Sequence, residues 1–509
     1  MQQSSTTTRI AKNAVALYFR SFIVMAVSLY TSRVILRVLG VEDLGIYNVV
    51  GGMVVLFAFL DGGQSATYQR FYNYAMGRPE DYQLYDVFST SIVVQMLIAV
   101  AVFLVTEIVG LYLLYNVLVI PDGRMTAAFW VFQFSVLTLV VNTLSIPYNA
   151  MIVAKENLGA FAYIDIANVV LKLLIVFAVE MSSIDRLIFY AFLFLCVQLM
   201  TRFFYTSFCK RKYSEVHFRL LWNGKLIREM TGFSLWIVLS SVASILLTQG
   251  ISILYNMFFG VVANAAIGIG NQVRSAIVKL TGNLTFSFSP QLVINYANGD
   301  WSKVDKIWTI GTKCAIFLFA ALSVPIILDA DYILKIWLEN PPMYTTVFLR
   351  LILIENLIRF FSVNASTIVR ATGHIKKYEL ITNVINAIAF IAICIGFYIS
   401  NNVALPFIIL IVTTIIQVIY SIYCACRCIQ SKLIGYLLTN TGLSTISLVI
   451  ATIIGFLLKP AGMNIISLLI HSLVTVTVMG LSFYLVGFLP SEKVYLNKVV
   501  LSIYRKVIK

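Results

Sequence analysis

Apolar residues in this chain fall in long blocks separated by short polar connections. About 20 mostly apolar residues in a helix cross the hydrocarbon of a bilayer. By that measure the blocks predict about fourteen spans, at roughly 13–38, 45–68, 88–115, 127–153, 160–180, 185–208, 231–257, 262–290, 307–328, 344–369, 379–399, 403–426, 434–458 and 463–488. Hydrocarbon offers no hydrogen-bond partner, so spanning backbone must be helical or a closed barrel. The blocks lack the period-two alternation of barrel strands, so helices are predicted.

One connection is longer and basic: "CKRKYSEVHFRLLWNGKLIREM", Cys209–Met230. It separates a six-span bundle (1–208) from a second six-span bundle (231–428), with 209–230 as a basic cytoplasmic linker. Residues 429–509 hold two additional spans and a basic cytoplasmic tail. The two bundles repeat. With an offset near 222, "GIYNVV" (Gly45–Val50) meets "GIGNQV" (Gly268–Val273), and "NYAMG" (Asn73–Gly77) meets "NYANG" (Asn295–Gly299). With an offset of 215, Lys155 meets Arg370, Tyr163 meets Tyr378 and Asn168 meets Asn383. Six spans per copy is an even number, so the copies point the same way across the membrane. The predicted fold class is therefore an all-α polytopic membrane protein of two parallel-repeat six-helix bundles plus two C-terminal helices. That architecture predicts alternating access, with the substrate path between the bundles.

Composition agrees: 60% of residues are hydrophobic, 12% are charged and the mean hydropathy is +0.91. A soluble fold could not bury so much apolar surface. The net charge of +15 comes without zinc spacing or an exposed basic helix, so no nucleic-acid partner is expected. With a cytoplasmic N-terminus, only about seven basic residues fall outside: Arg33, Arg37, Arg124, Arg186, Lys335, Arg350 and Lys459. Most of the others lie in cytoplasmic connections and the C-terminal tail, so both termini are predicted to be cytoplasmic. The N-terminal "MQQSSTTTRIAKN" has no cleavable signal pattern. The seven cysteines read as small apolar residues, the three histidines form no metal cluster, and no phosphate-binding G-x-x-x-x-G-K-[ST] loop occurs. No cofactor or metal is expected. Energy would come from an H⁺ or Na⁺ gradient, the membrane potential or downstream consumption of product.

The stretches "SRVILRVLGVEDLGIYNVVGGMVVLFAFLDGG", "LSIPYNAMIVAKENLGAFAYIDIANVVLKL" and "IVRATGHIKKYELITNVINAI" resemble the polysaccharide-transporter branch of the multidrug/oligosaccharidyl-lipid/polysaccharide exporter superfamily. That branch contains O-antigen and capsule-unit flippases. The resemblance implies movement of undecaprenyl-diphosphate-linked oligosaccharide between leaflets of a bacterial inner membrane. It also implies work beside glycosyltransferases and a polysaccharide polymerase. Many members have twelve spans; a count of fourteen is shared with the lipid II flippases.

A diphosphate headgroup crossing hydrocarbon needs cations and hydrogen-bonding groups along its path, and charged residues inside spans are costly enough to mark function. Arg20 shares a helix face with Asn13 and Thr31; it lines a lumen or snorkels to the surface. Span eight is the most polar, and its Arg274 and Lys279 suit a diphosphate as a forked donor and a point charge. Span seven carries Ser234, Ser241, Ser244, Thr248 and Ser252 on one face, as lumen or as close packing. Lys172 and Arg359 are further deep cations, and Glu355 stands one turn before Arg359, so the two also read as an ion pair. Asp61, beside Gly62 and Gly63, and Glu355 are the candidates for ion coupling; Asp61 alternatively pairs with Arg20 or Arg274. Pro147 interrupts span four as a hinge or as static packing.

The leading expectation is a non-enzymatic flippase for a polyprenyl-diphosphate-linked glycan within the bilayer. The alternatives are a cation-coupled multidrug exporter or lipid II flippase of the same superfamily, and, more remotely, a membrane polysaccharide polymerase or ligase. An exporter of cations calls for an acidic cavity, and a polymerase for a large outer loop with paired catalytic groups; neither pattern is present.

Overall fold

The computed structural model describes residues 2–57, 64–77, 83–155, 157–217, 223–372, 376–460 and 462–494. Side chains are described throughout these except at 2–22, 233–246, 66, 77, 122, 158, 161, 162, 283, 286, 287, 290, 294 and 297. Asp61 and the side chains of Arg20, Ser234, Ser241 and Ser244 therefore lie outside the described residues.

Among the described residues the regular structure is helical. Ten helical stretches are long and apolar enough to cross a membrane. Spans two, five, seven and ten of the sequence reading do not stand among them as separate stretches. Span two runs into residues outside the description. Span five is present as a helix, Leu158–Glu180, but carries Asp165, Lys172 and Glu180. Span seven is continuous with span eight. Span ten is divided by a tight turn at Phe360–Ser362. The residues pack as two compact units, 1–269 with 386–401, and 270–385 with 402–509. Repetition and packing draw different lines: the duplicate starts near residue 231, while the helix through residue 269 packs into the first unit.

The first unit begins with α1 (Gln2–Leu56), which turns at Gly40 (φ 79°, ψ 176°). Then come α2 (Gln64–Gly77), α3 (Leu84–Asn116), α4 (Met125–Thr143), α5 (Ile146–Ala154), α6 (Leu158–Glu180) and α7 (Arg186–Lys212). Helix α8 (Gly224–Ala297) turns at Gly260 (φ 72°, ψ −172°), the same backbone conformation as Gly40. Only glycine reaches that region at little cost, so the duplicated turns are a repeat feature written into the backbone. The two turned segments meet: a Cβ on Gly45 would stand 2.0 Å from the Val261 carbonyl oxygen. The later match "NYAMG/NYANG" marks helix ends, with α2 closing at Gly77 and Gly299 in the left-handed conformation past α8.

Apolar residues of α1, α3, α4, α6 and α7, among them Val49, Met53, Val102, Phe132 and Val176, form one buried core. Arg124 fastens one end of this unit. It gives Asp43 two hydrogen bonds (2.8 and 2.6 Å) and Asp185 two more (2.5 and 3.3 Å). Asp185 also caps α7 by accepting from the Leu187 and Ile188 N–H groups.

The second unit continues α8 into α9 (Trp301–Leu328), α10 (Ala330–Leu338), α11 (Thr345–Arg359), α12 (Val363–Ala371) and α13 (Lys376–Ile399), the last of which passes into the first unit at residue 386. It closes with α14 (Leu405–Cys428), α15 (Leu433–Tyr436), α16 (Leu443–Leu457) and α17 (Ile465–Ser482). The two C-terminal spans are docked on α9. His471 Nδ1 is 2.5 Å from Asp329 Oδ2, and its Nε2 is 2.8 Å from the Gly455 carbonyl. Trp308 stacks on Tyr436 at 3.8 Å. The fully buried Lys313 reaches Glu492 at 2.8 Å.

Candidate functional site

Each unit holds one group of the sequence-predicted polar residues. In the first, the second segment of α1 and helices α4, α6 and α7 enclose a cavity of about 390 Å³. Gly51 and Gly52 supply bare backbone there, and nothing lies within 4 Å of a Cβ added at Gly51. Lys172 of α6 lines the cavity, its Nζ 4.6 Å from the centre of the Phe194 ring. Such a cation–aromatic contact is worth about 0.5–2 kcal/mol. Phe194 is in turn packed by Tyr47 and Tyr190, which face one another edge-on at 5.0 Å. Asn168, one helical turn before Lys172, donates to Thr201 Oγ1 (2.7 Å) and Gln198 Oε1 (3.4 Å), and Gln198 is a cavity wall. Asn48, Ser135, Thr138 and Asn142 add to the polar lining, and no Asp or Glu lines the cavity among the described residues.

In the second unit Glu355 is the hub. Its Oε1 accepts from Arg359 Nε (3.1 Å) and Nη2 (2.5 Å) and from Thr414 Oγ1 (2.8 Å). Its Oε2 accepts from Asn356 Nδ2 (2.8 Å). The carboxylate is buried, while the Arg359 side chain is half exposed. Arg274, from α8, lies within electrostatic range of both Glu355 and Arg359. Its buried Nε has no hydrogen-bond partner. A buried unsatisfied donor costs about 1–3 kcal/mol, more when charged. Two guanidiniums thus share one carboxylate whose oxygens are already engaged.

The structure brings Arg274, Glu355 and Arg359 together. Lys172 belongs to the separate cavity of the first unit. Lys279 is exposed on α8. Pro147 sits in the first turn of α5, just past the break at Leu144–Ser145 that divides span four. Ser252 links the two arms of α8 across the Gly260 turn, accepting from Asn264 Nδ2 at its carbonyl (2.8 Å) and hydroxyl (2.7 Å). The cavity walls Thr138, Asn142 and Gln198 were not singled out from the sequence, because single neutral polar residues occur in many spans. Lys313 and His471 were also passed over as sites, although each stands inside an apolar run, the signal that marked Lys172. Their partners, Glu492 and Asp329, lie far along the chain.

No protein-family model and no curated protein matches the sequence. Solved structures do match in fold. The lipid II flippase MurJ in an inward closed conformation matches with a TM-score of 0.69 at 14% identity, over 97% of this chain and 100% of that one. An inward-facing multidrug resistance MATE transporter of the MOP superfamily matches with a TM-score of 0.65 at 13% identity, over 82% of this chain and 98% of that one. A MOP-superfamily transporter from Pyrococcus furiosus, described as having a binding pocket of reverse polarity, matches with a TM-score of 0.56 at 13% identity, over 83% of this chain and 97% of that one. The chain therefore has the fold of this group of membrane transporters.

Proposed function

We propose that the protein is a flippase that carries a polyprenyl-diphosphate-linked oligosaccharide across a bacterial inner membrane, for surface polysaccharide assembly, with both termini in the cytoplasm. The observation that carries this reading is Arg274. A half-buried guanidinium whose buried Nε is unsatisfied, beside a second guanidinium and one fully engaged carboxylate, has spare capacity for an anion. A diphosphate supplies the charge and the forked acceptors that Arg binds best. Lys172, Lys279 and Arg359 add charge of the same sign, with Arg20 as a further candidate. The membrane-transporter fold and the full-length likeness to a lipid II flippase support this class of substrate.

The headgroup is held by these cations while the polyprenyl chain stays in lipid, and alternating access releases it on the far side. No bond is made or broken, so no catalytic residue or cofactor is assigned. Asp61 and Glu355 are the candidate groups for coupling to H⁺ or Na⁺. Glycosyltransferases would supply the substrate and a polymerase would consume it.

The second reading, a multidrug exporter, draws on the fold shared with MATE transporters. Excess cations disfavour it, because cationic drugs would be repelled. The test is reconstitution into liposomes with a fluorescent polyprenyl-diphosphate glycan and, separately, a cationic dye. Arg274→Gln and Lys279→Gln are expected to slow glycan flipping at unchanged protein levels. Dye transport without glycan transport would overturn the proposal.

A further inference from the structure

The diphosphate reading accounts for the cations but leaves the cavity of the first unit unexplained. Its volume of about 390 Å³ is at the lower end of those that hold small organic ligands, about 300–1,000 Å³. A diphosphate alone is a poor match for its walls. Among the described residues one cation lines it, Lys172, and that ammonium already faces the Phe194 ring. The other polar walls described are neutral: the carboxamides of Asn48, Asn142 and Gln198 and the hydroxyls of Ser135 and Thr138.

A carboxamide offers a donor and an acceptor side by side, which is the pairing that two neighbouring hydroxyls of a sugar present. The apolar C–H face of a sugar ring packs on an aromatic ring, and Phe194 is held by Tyr47 and Tyr190 so that it cannot swing freely. Gly51 removes a side chain where a ring would need room, since nothing lies within 4 Å of a Cβ added there. Among the described residues the charged lining is Lys172 and holds no carboxylate, which disfavours a cationic occupant.

We infer that this cavity seats a sugar ring of the lipid-linked glycan, with Lys172 marking the side on which the ring's phosphate lies. The assignment rests on the flippase reading above and adds to it a specificity element. The first unit reads the sugar; Arg274 and its neighbours in the second read the charge.

The experiment measures binding to the full-length detergent-solubilised protein by native mass spectrometry. The probes are synthetic undecaprenyl diphosphate and the lipid-linked glycan pool extracted from the source cells. The native protein is expected to bind the glycan pool about tenfold more tightly than the sugar-free lipid. Thr138→Val combined with Gln198→Leu should erase that increment and leave sugar-free binding unchanged. Gly51→Leu, which fills the cavity where nothing lies within 4 Å of the added Cβ, should do the same. It also improves helix propensity, so it guards against a fold defect. If the variants keep the increment, or lose both lipids alike, the sugar assignment falls while the flippase reading stands. Equal binding of both lipids by the native protein has the same consequence. If the native protein binds neither lipid, the flippase reading itself falls.

Discussion

Replacing Lys313 by Met removes one half of a buried ion pair while nearly keeping the side chain's length. Lys313 is fully buried, its Nζ lies 2.8 Å from Glu492 Oε2, and it sits 5.9 Å from the Phe488 ring. The change strands Glu492, which is only 5% exposed, inside the second unit. Breaking a buried pair by removing one partner costs about 3–5 kcal/mol, because the remaining charge is uncompensated. Protonation of Glu492 relieves part of this, so a loss of about 3 kcal/mol is expected. Glu492→Gln strands the ammonium instead and keeps an acceptor for the Leu489 N–H, now bonded to Oε2 at 2.7 Å. In the double variant neither charge remains, and most of the loss should return. Thermal unfolding in detergent, followed with a thiol-reactive dye, reads this through Cys209 and Cys426, both buried and free. Each single variant should unfold several degrees early, with the double variant nearer the native protein. A coupling of at least about 2 kcal/mol is expected. Silent single variants, or losses that simply add, would refute the claim that this pair fastens the C-terminal segment to α9.

Three further outcomes follow from the packing. Gly45→Ala places a methyl 2.0 Å from the Val261 carbonyl oxygen, so it should reduce folded yield on size-exclusion chromatography, whereas Gly51→Ala should not. Gly260→Ala forces a side chain into φ 72°, ψ −172° at a cost of about 1–3 kcal/mol; an unfolding temperature equal to the native one would show that the turn is not fixed as described. Lys155, hydrogen-bonded to Glu215 at 2.9 Å, holds that carboxyl below its ordinary value near 4.5. Its contribution is therefore present above pH 4.5 and lost as pH falls through the folded value. Because the pair is partly exposed, Glu215→Gln should flatten acid-side stability by under about 1 kcal/mol, and a larger change in a pH series of melting curves would contradict the assignment.

The all-helical membrane fold was legible because apolar blocks of this length have few other solutions. The repeat was legible in order and spacing, and the structure adds the matched turns at Gly40 and Gly260. Part of the second-unit cluster was legible too: Glu355 and Arg359 are one helical turn apart, and the ion pair read from that spacing is present. The approach of Arg274 was not, because no local rule relates α8 to α11. The same holds for Lys313 with Glu492 and for His471 with Asp329, separated by 179 and 142 positions. Long-range pairing of buried charges depends on how helices dock, which a linear pattern does not record.

The repeat offsets also say where the copies stopped being copies. At offsets of 222 and 223, Arg274 corresponds to Gly52 and Gly51. One copy plants a guanidinium where the other removes its side chains and opens a cavity. At the offset of 215, Glu355 and Arg359 correspond to Val140 and Leu144, and Lys172 to Ala387. Each of these four charges therefore corresponds to an apolar or missing side chain at its matched position. Burying a charge is costly without compensation: Lys313 is compensated by Glu492, whereas the buried Nε of Arg274 has no partner. The shared positions do scaffold work instead: Gly40 and Gly260 set the same turn, and Asp185 and Asn402, near one another in repeat register, both accept N–H groups at a following helix start, of α7 and α14. A scaffold held alike in both copies, with cations and cavity divided between them, fits the proposed substrate, whose two ends are unlike. A glycan diphosphate has such ends: one neutral and rich in hydroxyls, the other compact and anionic.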